Sequence, residues 1–119
     1  MIKMEIIKEG VIRVSPIGKL QPQDIDEVMP QINQLNNQMG QINVLVDARK
    51  FNGWQNVETF KYHINVIKSH YYNVGNVAIL IGSFWQTLIL SVVKMAMKQD
   101  LKTFKAKQAE EALAWVSNR

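Results

Sequence analysis

The side chains best suited to acid–base or metal chemistry are two histidines, His63 and His70. They lie two turns apart on one face of a predicted helix, a separation of about 10 Å, which is too great for both to bind one metal ion. The sequence offers no third ligand beside them and contains no cysteine. We predict no metal site, and we expect each histidine to be a partly buried or surface residue.

Carboxylates gather where two helices are predicted to begin, with Asp24, Asp26 and Glu27 at one and Glu110 and Glu111 at the other. Acidic side chains at a helix N-terminus interact favourably with the helix dipole, which explains them without a catalytic role. The sequence also lacks the nucleophile, zinc-protease and phosphate-loop motifs of common enzyme classes. We therefore expect no catalytic residue, no cofactor and no enzymatic activity.

Aromatic residues and one carboxylate follow the two most apolar predicted strands, 41–47 and 76–81. Ligands of open α/β sheets bind beyond the carboxyl ends of parallel strands, where these residues would converge. We predict Asp47 as a polar anchor and, as lining residues, Phe51, Trp54, Trp85, Leu88 and Ile89. In the alternative, the two tryptophans fill the core and Asp47 binds backbone amides of its own loop. Arg49 and Lys50 either meet an anionic group or only keep that loop solvated.

Segment 84–98, FWQTLILSVVKMAMK, is predicted to be a helix whose apolar residues cover most of its circumference. A large apolar side chain left in water forgoes about 1.5–3 kcal/mol, so this helix must be covered on two sides. One cover is the protein core, and the other is a ligand, a partner subunit or a membrane surface. The residues predicted to contact a membrane or partner are Leu90, Val93, Lys94, Met97 and Lys98.

The hydrophobic periodicity of the whole chain indicates an α/β fold with the element order ββαβαβαβα. Segments 4–9 and 11–17 predict a hairpin that turns at Glu9–Gly10. Strands 41–47 and 76–81 are predicted to be parallel neighbours, and 101–104 a lysine-rich edge strand. Helices are predicted at about 22–38, 56–71, 84–98 and 107–116, whereas Gly18–Leu20 and 47–55 are predicted to lie outside the sheet.

The first predicted helix carries three unusual residues. Pro30 lies inside it and is predicted to kink it or to split off its first turn. Gly40 is predicted to end it in a left-handed conformation. Gln21 stands at the N-cap, where serine or threonine is preferred, and should weaken the helix start by up to about 1 kcal/mol.

Length and composition limit the class of protein. The 119 residues fit a single domain spanning 1–119, and the absence of cysteine and of an apolar leader favours a cytoplasmic location. The apolar block 84–97 is shorter than the ~20 residues that span a bilayer. Five lysines between Lys94 and Lys107 either favour peripheral contact with the inner membrane or with another acidic partner, or only keep this edge of the protein solvated. The net charge of +4 is the only feature that favours nucleic-acid binding. The sequence has no predicted helix with basic residues on one face, so we do not expect nucleic acid as a partner.

Several short combinations follow one another along nearly the whole chain: Gly18-Lys19-Leu20 with Asp24, Leu45-Val46-Asp47, Phe51-x-Gly53-Trp54, Val77-Ala78 with Gly82 and Trp85, and Phe104 with Ala112-x-Ala114-Trp115. Together they resemble the SpoIIAA-like family, a branch of the STAS fold that is also likened to CRAL-TRIO lipid-transfer domains. The resemblance implies a mixed five-stranded sheet with four helices. It also implies a small bacterial protein of unsettled role, suspected of membrane association and of binding an apolar ligand, with a helix that opens and closes.

One departure from the STAS fold bears on regulation. Its anti-sigma-factor antagonists carry a phosphorylatable serine in the loop after the third strand, whereas residues 47–54 contain no serine or threonine. We therefore expect no switch of that kind. The expected function is a non-enzymatic module that binds a small apolar or lipid-like molecule, with 84–98 as a movable cover. The alternative is a protein-interaction module, in which the same helix is buried in a homodimer or against a regulatory partner.

Overall fold

A computed structural model describes residues 1–70, 74–82 and 101–117. Strands β1 and β2 (Ile2–Lys8, Val11–Pro16) are followed by β3 (Gly18–Leu20) and helix α1 (Pro22–Met39). Strands β4 and β5 (Ile42–Ala48, Phe51–Trp54) precede helix α2 (Val57–His70). Strands β6 and β7 (Val74–Ile81, Leu101–Lys105) come next. A 3-10 turn (Ala106–Gln108) then leads into helix α3 (Ala109–Ser117).

The predicted α/β fold with a mixed five-stranded sheet is confirmed. The strand order of this main sheet is β1-β2-β4-β6-β7, and only β1 runs antiparallel to its neighbour. The hairpin between β1 and β2 turns at Glu9–Gly10, as predicted. The predicted parallel pairing of β4 with β6 is also observed, with Val46 opposite Ile79, and the short strand β7 lies at the edge.

The element order differs from the predicted one, because the described residues contain seven strands and three α-helices. Two short strands were missed: β3 and β5 pair with each other in a small parallel sheet. Gly18 N–H donates to the Lys50 carbonyl and Gln55 N–H to the Leu20 carbonyl, both at 2.8 Å. Strands of three and four residues show no periodicity, and only this non-local pairing defines them. The predicted helix 84–98 lies outside the described residues.

Helix α1 is continuous from Pro22 to Met39, so Pro30 does not split it. Pro30 is exposed, and the carbonyl that it leaves unbonded can therefore meet water. At the start of α1, the Asp24 carboxylate accepts a 2.7 Å hydrogen bond from Gln21 N–H, which partly compensates for the poor N-cap residue. At its end, Gly40 has the predicted positive φ of 77°, but its ψ of −138° lies outside the left-handed helical region.

Side chains alternate between the two faces of the main sheet, so each face has its own core. On one face, Ile12, Val44 and Ile79 pack with α1 and the small sheet. On the other, Leu45 and Leu80 pack against Ala112 and Val116 of α3. We call these the α1/α2 face and the α3 face.

Candidate functional site

The α1/α2 face holds a partly open apolar cavity of about 200 Å³. Its floor is made of valines and isoleucines that project from the parallel strands of the main sheet. Both helices contribute aliphatic side chains to its walls: Ile25, Val28, Met29 and Ile32 from α1, and Ile64 and Ile67 from α2. A concave, mostly apolar space of this kind is typical of small-molecule sites, so we take it as the candidate site.

The small sheet supplies the aromatic end of the cavity, with Phe51 and Trp54 both in its lining. Their rings meet edge to face with centroids 4.9 Å apart, and Trp54 meets Phe60 in the same way at 4.7 Å. Two of the residues predicted to line a ligand site are therefore brought together. A T-shaped aromatic pair of this kind contributes about 0.5–1.5 kcal/mol beyond its burial.

A bulge in β5 explains how Phe51 and Trp54 reach the same cavity. Residues three apart in a regular strand point to opposite faces. In the small sheet, however, Gly18 pairs with Phe51 and Leu20 with Trp54, so β5 holds one more residue than β3 over the same length. Gly53 has a φ of +94°, a conformation that glycine adopts without strain, and it lies within this bulge.

His63 is the polar residue among the described lining of the cavity, although the sequence predicted only a partly buried or surface histidine. Its side chain is 2% exposed and lines the cavity. Trp54 Nε1–H donates to His63 Nδ1 at 3.1 Å, and His63 Nε2 lies 3.0 Å from the Gln21 carbonyl oxygen. Because an indole nitrogen can only donate, Nδ1 must be the acceptor, so Nε2 carries the proton and donates to Gln21.

The surroundings of His63 favour its neutral form. Burial lowers its pKa, and this effect outweighs the opposing influence of the Gln21 and Pro22 backbone and of the Asp24 and Asp26 carboxylates. The spacing of His63 from Phe60 and Ile67 could have placed it on the buried side of α2. Its partners could not be found in that way, since Gln21 lies in another part of the chain. The side chain of His70 lies outside the described residues.

Asp47 is not brought to the cavity. Val44, Val46 and Ala48 line the cavity from alternate positions of β4, which places Asp47 on the α3 face with Leu45. Its carboxylate accepts hydrogen bonds from Arg49 Nε and Nη2 at 2.8 and 2.7 Å, and from the Arg49 backbone N–H at 3.2 Å. The Arg49 guanidinium lowers the pKa of Asp47 below its ordinary value despite the burial of the carboxylate.

The other predicted site residues lie in the segment that the structure does not describe. These are Trp85, Leu88 and Ile89 of the lining and Leu90, Val93, Lys94, Met97 and Lys98 of the membrane or partner contact. Within residues 1–70, 74–82 and 101–117, no α-helix combines the length and apolar character needed to cross a bilayer. The same residues contain no cluster of three histidine or carboxylate side chains that could hold a metal ion.

Comparison with known proteins identifies a family for this sequence and structure. The sequence matches the SpoIIAA-like family model over residues 11–117. The structure is similar to the crystal structure of an uncharacterized protein of the DUF3478 family from Shewanella loihica PV-4, which has a SpoIIAA-like fold. The TM-score is 0.76 at 18% sequence identity, covering 98% of this chain and 92% of the other. No curated protein gives a significant sequence match.

Proposed function

This chain belongs to the SpoIIAA-like family, and we propose that it is a non-enzymatic module that binds a small apolar molecule between α1, α2 and the main sheet. The observation that supports the proposal is the cavity of about 200 Å³ with aliphatic and aromatic walls. An apolar cavity of about 150 Å³ stays dry and takes up benzene, so this volume suits one aromatic ring with a short alkyl group or an aliphatic chain of similar size.

The polar groups of the cavity support an apolar ligand over a polar one. His63 is the polar side chain among the described aliphatic and aromatic lining, and both of its ring nitrogens already have partners in the protein. A hydroxyl or carboxylate inside the cavity would therefore lose its hydrogen bonds to water without regaining them, which costs roughly 1–3 kcal/mol or more. The ligand we propose is a hydrocarbon, or the hydrocarbon part of an amphipathic molecule.

The connection from β6 to β7 is the proposed cover. Strands β2, β4, β6 and β7 are parallel neighbours in that order, and α1 and α2 make the first two crossovers on the cavity face. We propose that segment 84–98, which lies outside the described residues, is the movable cover of this cavity. In this proposal Trp85, Leu88 and Ile89 face the ligand. The outer residues, Leu90, Val93, Lys94, Met97 and Lys98, are then available to a membrane surface or to a second subunit.

The direct test is a titration with toluene, followed by calorimetry and by the methyl NMR signals of the protein. We expect saturable binding at one site, with shifts at Val44, Val77 and Ile64 on the α1/α2 face and none at Val116 on the α3 face. Val44→Phe fills the cavity and should abolish binding. The matched control is Val11→Phe, since Val11 is equally buried but lies on the α3 face. Val11→Ile replaces it if Val11→Phe does not fold.

Two outcomes would count against the proposal. If wild-type protein does not take up toluene, the cavity does not accept a small apolar molecule, and the proposed function is wrong. If Val44→Phe and Val11→Phe bind toluene equally, the molecule binds elsewhere. Organic extraction and mass spectrometry of purified protein extend the test, because a co-purified apolar compound present in wild-type protein and lost in Val44→Phe would identify the natural ligand.

A further inference from the structure

We propose that the hydrogen bond between Trp54 and His63 is a proton-sensitive latch, which closes the aromatic end of the cavity at neutral pH and opens it in acid. The inference rests on the proposed function, because it assigns a regulation to the same cavity. Both residues line that cavity, and the bond joins β5 to α2 across a gap of 3.1 Å. Opening it would loosen the only wall of the described lining that is aromatic.

The latch follows from the tautomer that the geometry requires. In neutral His63, Nδ1 accepts from the Trp54 indole and Nε2–H donates to the Gln21 carbonyl. Protonation adds a hydrogen to Nδ1, so two donors then face each other. The Nε2 bond to Gln21 survives this change, whereas the Trp54 bond cannot.

The charged neighbours of His63 attract its protonated ring toward the start of α1. Asp24 and Asp26 of α1 act on it electrostatically and favour the imidazolium. The terminal ammonium of Met1 lies 3.2 Å from the Asp24 carboxylate and partly offsets it, and the Tyr62 hydroxyl donates to Asp26. Burial opposes protonation of His63 and lowers its pKa below the ordinary value of a histidine, so the ring stays neutral at neutral pH.

On the opposite side of the ring, the described strand β5 offers no compensating charge. The residues of β5, Phe51-Asn52-Gly53-Trp54, are uncharged, and Trp54 presents a donor. Protonation therefore attracts His63 toward the start of α1 and leaves Trp54 without its partner. Trp54 also packs on Phe51 and Phe60, so its displacement disturbs three aromatic residues at one end of the cavity.

Linkage makes the effect reciprocal. If the latched form binds the ligand more tightly, acid weakens binding, and a bound ligand makes His63 harder to protonate. One linked proton changes the dissociation constant by at most about tenfold per pH unit. We expect the toluene dissociation constant of the wild-type protein to be flat above pH 7 and to rise in acid toward this limit.

The test measures the ratio of toluene dissociation constants at pH 5.5 and pH 8, at fixed ionic strength, in wild-type protein and in His63→Gln. Glutamine can accept from Trp54 and donate to Gln21 but does not titrate, so its ratio should be close to one even if its absolute affinity differs. A second variant, Trp54→Phe, removes the indole N–H and keeps an aromatic ring. It should raise the pKa of His63, read from the ring nitrogen shifts, because the donor that opposes protonation is gone.

The outcomes separate the latch from the binding function. Equal toluene affinity at both pH values, with His63 shown by NMR to be protonated at pH 5.5, would overturn the latch and leave the proposed function intact. If toluene binds at neither pH, the proposed function fails. The latch is then judged by the assigned Trp54 indole N–H signal, which must shift at the same pH as His63 titrates. An unchanged His63 pKa in Trp54→Phe would also overturn the latch.

Discussion

The two faces of the main sheet use similar residues and enclose different interiors. On the α3 face, α3 lies directly on β4, β6 and β7, and Ala78 and Ala112 allow close approach because their side chains are small. On the α1/α2 face, α2 contacts α1 and β5 more than it contacts the strands of the main sheet, among the residues that the structure describes. Because α1 and β5 support α2 from the side, a cavity can form between α2 and the main sheet even though its lining residues are large and aliphatic.

The largest expected difference between the faces is in the unfolding free energy that is lost when one of two adjacent residues of a strand is truncated to alanine. Ile79 and Leu80 are adjacent in β6, are almost fully buried and point to opposite faces. Leu80→Ala should lower the free energy of unfolding by about 3–5 kcal/mol, because it opens a new hole in a packed core. Ile79→Ala should cost less, about 2–3 kcal/mol, since Ile79 already borders a void and has fewer contacts to lose.

Urea unfolding at equilibrium measures both losses. Similar m-values would show that the two variants unfold from comparable native states. A loss for Ile79→Ala that equals or exceeds the loss for Leu80→Ala would mean that the two faces are equally packed.

The next comparison enlarges a side chain on each face. Val11→Phe overfills the α3 face and should cost about 1–3 kcal/mol of unfolding free energy. Val44→Phe extends into the cavity and should leave the stability within about 0.5 kcal/mol of wild type, or raise it. Thermal unfolding of the two variants side by side checks this, and a larger loss for Val44→Phe than for Val11→Phe would refute the cavity.

A third comparison uses pH, because His63 is buried on the α1/α2 face. The folded protein holds His63 with a pKa below the ordinary 6.5, so below that value the unfolded chain binds more protons than the folded one. Stability from this group is therefore fully present above pH 6.5 and is lost as the pH falls, with a slope of at most about 1.4 kcal/mol per pH unit.

His63→Gln is the control for this slope, since it retains a buried polar side chain that cannot titrate. The unfolding free energies of wild-type protein and His63→Gln are measured from pH 7.5 to pH 5. The two curves should run parallel above about pH 6.5, and below it the wild-type protein should lose stability more steeply. Parallel curves over the whole range would show that His63 has an ordinary pKa in the folded protein.

The smallest effect is expected at the ion pair on the α3 face. Arg49 lowers the pKa of Asp47, so this pair stabilises the fold above the ordinary value of 3.8 and loses its effect as the pH falls through the lowered value. Arg49 is largely exposed, so Asp47→Asn should cost only about 0.2–1 kcal/mol. Unfolding in low and high salt at pH 7 measures it, and a loss above about 2 kcal/mol would contradict a solvent-screened pair.

The sequence predicted well those parts of the fold that have a local signal. The apolar runs of β4 and β6, the turn at Glu9–Gly10 and the edge strand β7 each carry their own pattern. Strands β3 and β5 carry none, because their few residues are defined only by pairing with each other. The face of the sheet on which Asp47 lies could have been predicted. Adjacent residues of a strand point to opposite faces, so Asp47 and Val46 had to lie on different faces.

The candidate site was only partly predictable for the same physical reason. Phe51 and Trp54 were both predicted as lining residues, but their convergence depends on the bulge at Gly53. The role of His63 depends on Trp54, nine residues away, and on the Gln21 carbonyl, 42 residues away, so only the folded chain reveals it. The predicted residues within 84–98 lie outside the described part of the chain, and their roles stay predictions.

The proposed function depends on one property of the molecule, an accessible apolar space on the α1/α2 face. The most direct measurement is the toluene titration of wild-type protein beside Val44→Phe, followed by methyl NMR. We predict one saturable site, with shifts at Val44, Val77 and Ile64, and its loss in Val44→Phe. A wild-type spectrum that does not change over the titration would contradict the proposed binding of an apolar molecule on the α1/α2 face.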